Sequence, residues 1–284
     1  MPYLIDHYSL LHCIEPDTLN LPDLKPVIEK WHEKKIRRID RYIQLCIAGG
    51  LNCVKSRALP HNTSLYLGTS KGAVATSARV MQTIESDREL PKPLHFVNTL
   101  GNSAGFYLTQ LLNLTGTALV CSAEEHSFET ALNHACLDLE AGQCETALVG
   151  CFDEAVLPLS HQHQRLGSPI NRPALLEGTH WLLLSRSPDK ALGKLSAPTF
   201  YTDLPALSDN GYSTQLSFFP TEKEQRLLSK SNHTVYDPVP HAAAHGSFSA
   251  AAFNHLLGQT KALHLSRSGS SYCAISWEAI PAKP

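Results

Sequence analysis

The sequence has almost no excess of charge, because 24 Lys and Arg residues stand against 26 Asp and Glu residues. The formal net charge of -2 gives no basic patch of the kind that binds nucleic acid or anionic lipid. The sequence also lacks a run of about 18 apolar residues, the length that a membrane span requires, and it lacks a basic leader at its N-terminus. We therefore expect a cytoplasmic protein with no membrane span and no nucleic-acid partner.

The chain also lacks internal sequence repeats and low-complexity tracts, and its composition is that of an ordinary globular protein. It has 284 residues, of which 43% are hydrophobic and 18% are charged. This length allows either one large domain or two fused halves. Most of the eight cysteines lie inside apolar periodic segments, where cysteine behaves as a small core residue. We expect reduced, buried thiols rather than disulfides.

Strand and helix patterns alternate along the chain. Strand patterns cover 64–68, 117–121, 146–150, 179–185, 262–265 and 272–277. Helical patterns cover 24–58, a segment from the turn at 69–72 to about residue 84, 106–112, 127–141 and 249–257. Residues 94–97 are predicted as a short strand or extended loop, and 198–232 as loop with a short helix. Alternation of this kind predicts an α/β fold with a largely parallel sheet.

One candidate for chemistry is Ser103, which lies in the G-x-S-x-G pattern of 101–105. This pattern matches the nucleophile elbow of serine hydrolases, in which a strand turns sharply into a helix. An esterase would also need an acid and a histidine, for which Asp153 or Asp237 and His245 are available. The plainer interpretation is a glycine-rich helix start, and both remain open at this point.

Two histidine pairs also suggest a metal site, namely His161 with His163 and His241 with His245. The second pair has the spacing that puts two imidazoles on one helical face. However, no third ligand occurs at a recognisable spacing, so we expect no metal. The glycine turn at 68–72 does not have P-loop spacing and is predicted to be a plain tight turn.

The junction between strand 117–121 and helix 127–141 carries two acids and a histidine, Glu124, Glu125 and His126. From here to Glu154 the sequence resembles the nucleophile region of the β-ketoacyl synthases, which are enzymes of the thiolase fold. Counting back from Gly142 by the family's spacing places Glu125 at the position of the nucleophilic cysteine. Beyond Gly142, residues 145–154 are similar to the family's next strand with its terminal Gly-x-x-Asp-Glu.

Other segments resemble family motifs in the same order. These are 37–42, 67–72, 102–105, 177–178 and 244–251. The resemblance implies a thiolase-like layered fold of helix, sheet, helix, sheet and helix. It also implies a single ketosynthase-like domain with an N-terminal half of about 1–160 and a shortened C-terminal half of about 161–284. For residues 102–105, the resemblance favours a segment of the synthase family over the nucleophile elbow of an esterase.

The departures from the family concern its catalytic residues. A thiol at the helix start is replaced by Glu125, and Cys121 lies four residues too early, within the strand. Of the family's two histidines only one has a match, at His245, and residues 232–234 are at best a remnant of the other motif. The terminal glycine-rich loop survives only as 268–271.

A protein that keeps the synthase scaffold but lacks its catalytic residues resembles a chain-length factor, the inactive partner of a ketosynthase. This chain is most similar in character to the short, synthase-like subunit of aryl polyene biosynthesis. The resemblance implies a heterodimer with a catalytic β-ketoacyl synthase, served by an acyl carrier protein and needing no cofactor. Glu125, His126 and His245 would then be tunnel or vestigial residues. The alternatives are a malonyl-thioester decarboxylase that uses Glu125, a serine esterase that uses Ser103, and a homodimeric scaffold.

Overall fold

The computed structural model describes residues 1–14, 21–32, 36–155, 175–207, 212–218, 220–229, 235–236 and 247–281. The strands are β1 (Tyr3–Ile14), β2 (Ser64–Gly68), β3 (Ala118–Cys121), β4 (Thr146–Asp153), β5 (Leu175–Ser185), β6 (Gly193–Leu195), β7 (Thr199–Tyr201), β8 (Ser213–Leu216), β9 (Val235–Tyr236), β10 (Lys261–Ser268) and β11 (Ser271–Ala279). The α-helices are α1 (Lys25–Glu29), α2 (Arg41–Val54), α3 (Val74–Glu85), α4 (Pro93–Val97), α5 (Ser103–Leu112), α6 (Ser127–Glu140), α7 (Glu222–Leu228) and α8 (Phe248–Leu256).

The strand order reveals a duplication that has no counterpart in the sequence. The first five strands are arranged β3-β2-β4-β5-β1, with β3, β2 and β4 parallel and β5 antiparallel to β4 and β1. The strands β9-β8-β10-β11-β6 repeat this order and these directions. A short β1–β6 pairing joins the two units, and β7 pairs with β11. The changeover between the two units falls between Ser185 and Gly193.

Three hydrophobic clusters define the layers. One cluster packs α1, α2 and α5 on one face of the first unit, through residues such as Leu65 and Trp181. A second cluster surrounds α6 and α8 and contacts both units, through Tyr66 and Trp277. A third, much smaller cluster covers the outer face of the second unit, where α7 contributes Leu228. The order is helix, sheet, helix, sheet and helix, which confirms the expected layered α/β fold.

The C-terminal half keeps all five strands, so its shortening affects the outer layer. In the first unit α1 and α2 lie between the first and second strands, β1 and β2. Between β6 and β8, the described residues contain no corresponding helix, only β7 and irregular chain. The outer apolar cluster of this unit is small for that reason. The low helix content agrees with the sequence pattern of 198–232, which predicted loop with a short helix.

The structure corrects several details of the sequence interpretation. The sheet is mixed rather than largely parallel. In the first unit β5 runs antiparallel to both of its neighbours, β4 and β1, and in the second unit β11 runs antiparallel to β10 and β6. Residues 93–97 form a helix rather than a strand, since Pro93 starts a short turn in which Asn98 N donates to Leu94 O. The helical pattern over 24–58 corresponds to α1 and α2, and the sequence predicted this succession of a partly exposed helix and a buried one. The sequence did not predict β1 or the short strands β6, β7, β8 and β9.

Cysteine usage agrees with the expectation of reduced thiols. All seven cysteines whose side chains the structure describes are free and buried. Among the described residues, no helix is both long enough and apolar enough to cross a membrane.

Gly68 places the end of β2 directly against the start of α6. A Cβ atom on Gly68 would lie 2.6 Å from the carbonyl oxygen of Ser127, which is backbone and cannot rotate away. We expect Gly68→Ala to lower the free energy of unfolding by about 1–3 kcal/mol in urea denaturation, the usual cost of overpacking. Gly258→Ala is the matched control, because a Cβ there meets nothing within 4 Å. Equal stability of the two variants would contradict the close contact.

Candidate functional site

The candidate site is the junction between β3 and α6. After Cys121 the chain forms a single 3-10 turn, Glu124–His126, before α6 begins at Ser127. Glu124 has a φ of 51°, which turns the backbone sharply. The Ser127 hydroxyl group lies 2.7 Å from Glu124 O and accepts from Ala123 N at 3.0 Å, so it fixes the turn. The turn leaves both Glu124 and Glu125 exposed and directs His126 inward.

Glu125 lies on the exposed side of this turn, at the entrance to the junction. Its Oε2 atom accepts a hydrogen bond of 2.7 Å from the Ser268 hydroxyl group. Ser268 is the last residue of β10 and precedes a tight turn in which Gly269 has a φ of 56°. Two features that the sequence identified separately, Glu125 and the segment 268–271, are therefore in contact.

His126 lies on the buried side of the turn, with only 6% of its surface exposed. Its ring packs edge-on against Phe200 of β7, with the ring centroids 5.6 Å apart. Its Nε2 atom is buried and has no hydrogen-bond partner among the described residues. His126 therefore closes the inner side of the junction instead of facing solvent beside Glu125.

A buried polar cluster lies one helical turn beyond Glu125. It comprises Glu129 of α6, Ser249 of α8 and His264 of β10. The Ser249 hydroxyl group donates to Glu129 Oε1 and lies 2.8 Å from His264 Nε2. His264 Nε2 is 3.3 Å from the same carboxylate oxygen. The cluster joins the two halves of the fold at the amino ends of the central helices.

The electrostatics of this cluster favour an ionised carboxylate. Burial opposes ionisation of Glu129, but the hydrogen bond and charge of His264 outweigh it and hold the Glu129 pKa below its usual value. Glu129 Oε2 and His264 Nδ1 are buried and have no hydrogen-bond partner among the described residues. A serine nucleophile needs a carboxylate on the histidine nitrogen opposite the serine, whereas here both groups share Nε2. The cluster is therefore arranged as a structural link.

Cys121 is the cysteine nearest to the junction in sequence. It is buried in β3, and burial raises the pKa of its thiol. A thiol attacks as the thiolate, which a raised pKa disfavours. The junction thus holds no activated thiol.

The Asp-Glu pair at the end of β4 holds the early glycine turn. Asp153 accepts hydrogen bonds from Thr69 Oγ1 at 2.7 Å and from the amides of Ser70 and Lys71, each at 3.1 Å. Burial raises the Asp153 pKa to about 6 despite these bonds. Its neighbour Glu154 accepts from Ala75 N at the start of α3, and burial raises the Glu154 pKa to about 7.

The other family-like motifs also bind one another. Glu177 is fully buried, forms an ion pair with Arg41 and lies 2.8 Å from His12 Nδ1 through its Oε1 atom. Burial alone would raise the Glu177 pKa, but the hydrogen bonds from His12 and Arg41 lower it overall. Asp40 accepts a hydrogen bond of 3.1 Å from Asn98 Nδ2. These contacts join β1, β5, α2 and the segment after α4.

Ser103, the candidate esterase nucleophile, is the first residue of α5 and is buried. Its hydroxyl group donates to Val97 O at 2.7 Å. Among the described residues no histidine or acid hydrogen-bonds to it, and the candidate acid Asp153 is engaged by the glycine turn. The geometry supports the helix-start interpretation.

Several sequence candidates lie outside the described residues. These are His161, His163, Asp237, His241, His245 and the segment 232–234. Within the part of the chain that the structure describes, no group of three His, Cys, Asp or Glu residues has the arrangement of a metal site.

Sequence reasoning missed Glu129 and His264 as members of the site. Each is a single polar residue inside an otherwise apolar helix or strand pattern, and the pairing partner lies 135 residues away. The only available signal was the polarity of residues at positions where the pattern predicts burial. That signal indicates a buried polar group but does not identify its partner.

Comparison with known proteins assigns the scaffold. The model of the β-ketoacyl synthase N-terminal domain matches residues 18–167, which is more than half of the chain. No curated protein sequence is significantly similar to the chain.

Solved structures with a similar fold include three ketosynthase assemblies. A type II polyketide acyl-carrier protein in complex with its ketosynthase, bound to the hexaketide, matches with a TM-score of 0.71 at 14% identity, over 98% of this chain and 99% of that chain. The ishigamide ketosynthase/chain length factor matches with a TM-score of 0.69 at 14% identity, over 99% of both chains. A ketosynthase in complex with its chain length factor from Xenorhabdus doucetiae matches with a TM-score of 0.55 at 16% identity, over 97% of this chain and 99% of that chain. At these identities the likeness confirms the thiolase fold.

Proposed function

Because this chain belongs to the β-ketoacyl synthase family, we propose that it is a non-catalytic, chain-length-factor subunit that pairs with an active β-ketoacyl synthase. In this proposal the partner performs the condensation and receives the growing chain from an acyl carrier protein. The finer assignment, to polyene or fatty-acid-like chain elongation, rests on the resemblance to the aryl polyene subunit.

The observation that carries the proposal is the carboxylate of Glu125 at the helix start. A cysteine at a helix N-terminus is activated because the helix dipole favours the thiolate. Glu125 offers a carboxylate there, held by Ser268, and such a group does not form a stable acyl thioester. The buried thiol of Cys121 does not replace it.

The distribution of exposed apolar side chains supports a protein partner. Of the fourteen large hydrophobic residues that are exposed in the described chain, seven lie within residues 81–106, on α3 to α5 and the segments between them. The most exposed on α5 is Phe106, at 61%. Helix α5 packs beside β3, which pairs only with β2 and is an edge strand of the described sheet. An apolar surface next to a free strand edge is typical of an interface.

The test is co-expression with a candidate ketosynthase, followed by size-exclusion chromatography and an assay with malonyl carrier protein. We expect a heterodimer, with intact-mass analysis showing the acyl group on the synthase and none on this chain. An acyl adduct on this chain during turnover would refute the proposal. A homodimer that excludes the synthase would favour the scaffold alternative instead.

The exposed carboxylate of Glu125 favours one second candidate, a malonyl-thioester decarboxylase. A decarboxylase would release CO₂ from malonyl carrier protein without the synthase, whereas a chain-length factor would not. Release that depends on Glu125 would therefore replace the leading proposal with this one. Hydrolysis of a chromogenic ester, abolished by Ser103→Ala, would favour the esterase.

Glu125→Ala tests the role of the carboxylate in the complex. Because Glu125 is exposed and makes one side-chain hydrogen bond, we expect condensation rates within about twofold of wild type, as for a typical surface substitution. Ser268→Ala, which removes the same hydrogen bond from the other side, should give the same result. Loss of turnover in Glu125→Ala and Glu125→Gln, but not in Ser268→Ala, would show instead that the carboxylate takes part in the chemistry.

A further inference from the structure

A groove of about 430 Å³ lies between β1 and α8, away from the β3–α6 junction. Alternate residues of β1, His7, Ser9 and Leu11, form one wall, since alternate residues of a strand share a face. Phe248 and Ala251, one helical turn apart on α8, form the other. The volume is within the range of small-molecule sites, roughly 300–1,000 Å³.

The groove carries no strong charge. Among the described residues that line it, none is Asp, Glu, Lys or Arg. Leu11, Phe248 and Ala251 make much of the surface apolar, and His255 lies at the exposed rim. A charged ligand would lose hydration here without gaining an ion-pair partner, so the lining favours a neutral, apolar molecule.

The polar contacts fix the hydrogen-bonding character of His7. The amide nitrogen of Asn254 donates to Ala250 O at 3.0 Å, so Asn254 Oδ1 is an acceptor. His7 Nδ1 lies 3.1 Å from that oxygen and must therefore carry the proton. In the neutral ring Nε2 is then an acceptor, and none of the described residues hydrogen-bonds to it.

The Ser9 hydroxyl group is already engaged. It lies 2.8 Å from Nδ1 of His180, on the neighbouring strand β5. A hydroxyl group has one proton and two lone pairs, so this contact occupies only part of the hydrogen-bonding capacity of Ser9. His7 Nε2 has no hydrogen-bond partner among the described residues, and an imidazole nitrogen is the more basic acceptor of the two.

We propose that this groove binds a neutral, apolar molecule that carries a hydroxyl group, and that His7 Nε2 accepts the hydrogen bond from that hydroxyl. The site is separate from the Glu125 junction and does not depend on the pairing proposed above.

The experiment compares 4-propylphenol with 4-propylanisole by calorimetric titration of the purified chain. The two probes differ in that the methyl ether cannot donate a hydrogen bond. We expect the phenol to bind roughly tenfold more tightly, the effect of one hydrogen bond of ordinary strength. Equal affinities, or no binding of either probe, would overturn the proposal.

Two substitutions at His7 locate the acceptor. Asparagine mimics Nδ1 and can still donate to Asn254, but it has nothing at the Nε2 position, so His7→Asn should remove the preference for the phenol. Glutamine reaches the Nε2 position with an oxygen, so His7→Gln should retain part of it. His255→Asn is the control at the rim and should behave as wild type. A preference that survives His7→Asn, or that is lost equally in His255→Asn, contradicts the assignment to His7.

A second variant guards against a folding defect at His7. Ala251→Leu adds volume inside the groove, whereas Ala141→Leu adds the same volume at an exposed position after α6. We expect the first to weaken binding of both probes and the second to leave it unchanged. Unchanged binding in Ala251→Leu would place the probes elsewhere and overturn the proposal.

Discussion

The variant His264→Ala is expected to unfold with about 3–5 kcal/mol less free energy than wild type at neutral pH, the usual cost of removing one partner of a buried ion pair. Glu129 is fully buried, and His264 is the group that lowers its pKa most strongly. Without the imidazole, the carboxylate stays buried, and the Ser249 hydroxyl group is its one hydrogen-bond partner among the described residues. Urea denaturation followed by circular dichroism measures the difference.

The pH dependence of this loss identifies the charge as its cause. In the wild type the Glu129 pKa lies below its usual 4.5, so its ionisation stabilises the fold above that pH, and this contribution is lost as the pH falls through the folded-state value. In His264→Ala, burial becomes the dominant influence and raises the pKa, so the variant gains stability as Glu129 is protonated. The difference between the two proteins should therefore shrink as the pH is lowered towards 4.5.

Two controls separate the ion pair from the packing of its side chains. Ser249→Ala removes a hydroxyl group and keeps the pair, so it should cost only about 1 kcal/mol. The double variant Glu129→Leu with His264→Leu removes both charges and should recover much of the stability, because an apolar pair of similar volume often replaces a buried ion pair without loss. A double variant as unstable as the sum of its single variants would show that the two residues act independently.

The layered fold was predictable from the sequence wherever apolar periodicity was strong. Strands β2, β4, β10 and β11 and helices α5 and α6 lie close to the predicted segments, because their apolar residues either form a continuous run, as in β2 and β4, or recur at regular spacing. β1 was missed because polar residues such as His7, Ser9 and His12 interrupt it, and these pair with residues distant in sequence, including Asn254 and Glu177. A single sequence does not reveal such partners, nor does it show the antiparallel direction of β5.

The candidate site was predictable only where the resemblance supplied a position. Counting back from Gly142 located Glu125, and the short segment 268–271 was identified as a reduced loop. That Ser268 donates to Glu125 is a product of the tertiary fold, which brings β10 beside the 3-10 turn. The buried pair of Glu129 and His264 had no motif at all. Apolar periodicity predicts each helix or strand separately, so it does not predict which side chains the packing of these elements brings together.

Under the proposed function, the distribution of polar contacts explains how a family scaffold persists without a nucleophile. Asp153 and Glu177 bind backbone amides or a basic side chain of other family-like segments, and Glu154 binds the amide of Ala75 at the start of α3. Selection for folding alone would maintain these residues, because an unpaired buried carboxylate is costly. The Glu125 side chain contributes little to folding in comparison, because it is exposed and accepts one hydrogen bond, from Ser268, among the described residues. We therefore expect substitutions at Glu125 to leave the fold intact.

Phe106→Glu is expected to weaken association with a ketosynthase partner by at least about a hundredfold, the scale of a charge placed within an interface hot spot. Phe106 is 61% exposed on α5, beside the edge strand β3, and it belongs to the stretch that carries half of the large exposed apolar side chains of the described chain. A carboxylate there would be buried without a partner on assembly. Co-purification and analytical ultracentrifugation of the mixed subunits measure the effect.

The matched control is Leu227→Glu on α7, which places the same charge at an apolar residue that is 44% exposed but lies in the other half of the fold. Both variants should keep the wild-type unfolding transition, because both residues are already in contact with water. We expect Leu227→Glu to bind the synthase as the wild type does. If Leu227→Glu and not Phe106→Glu abolished the complex, the partner would dock on the second unit. The free edge of β3 would then require another explanation, because an unprotected strand edge beside an apolar surface favours aggregation.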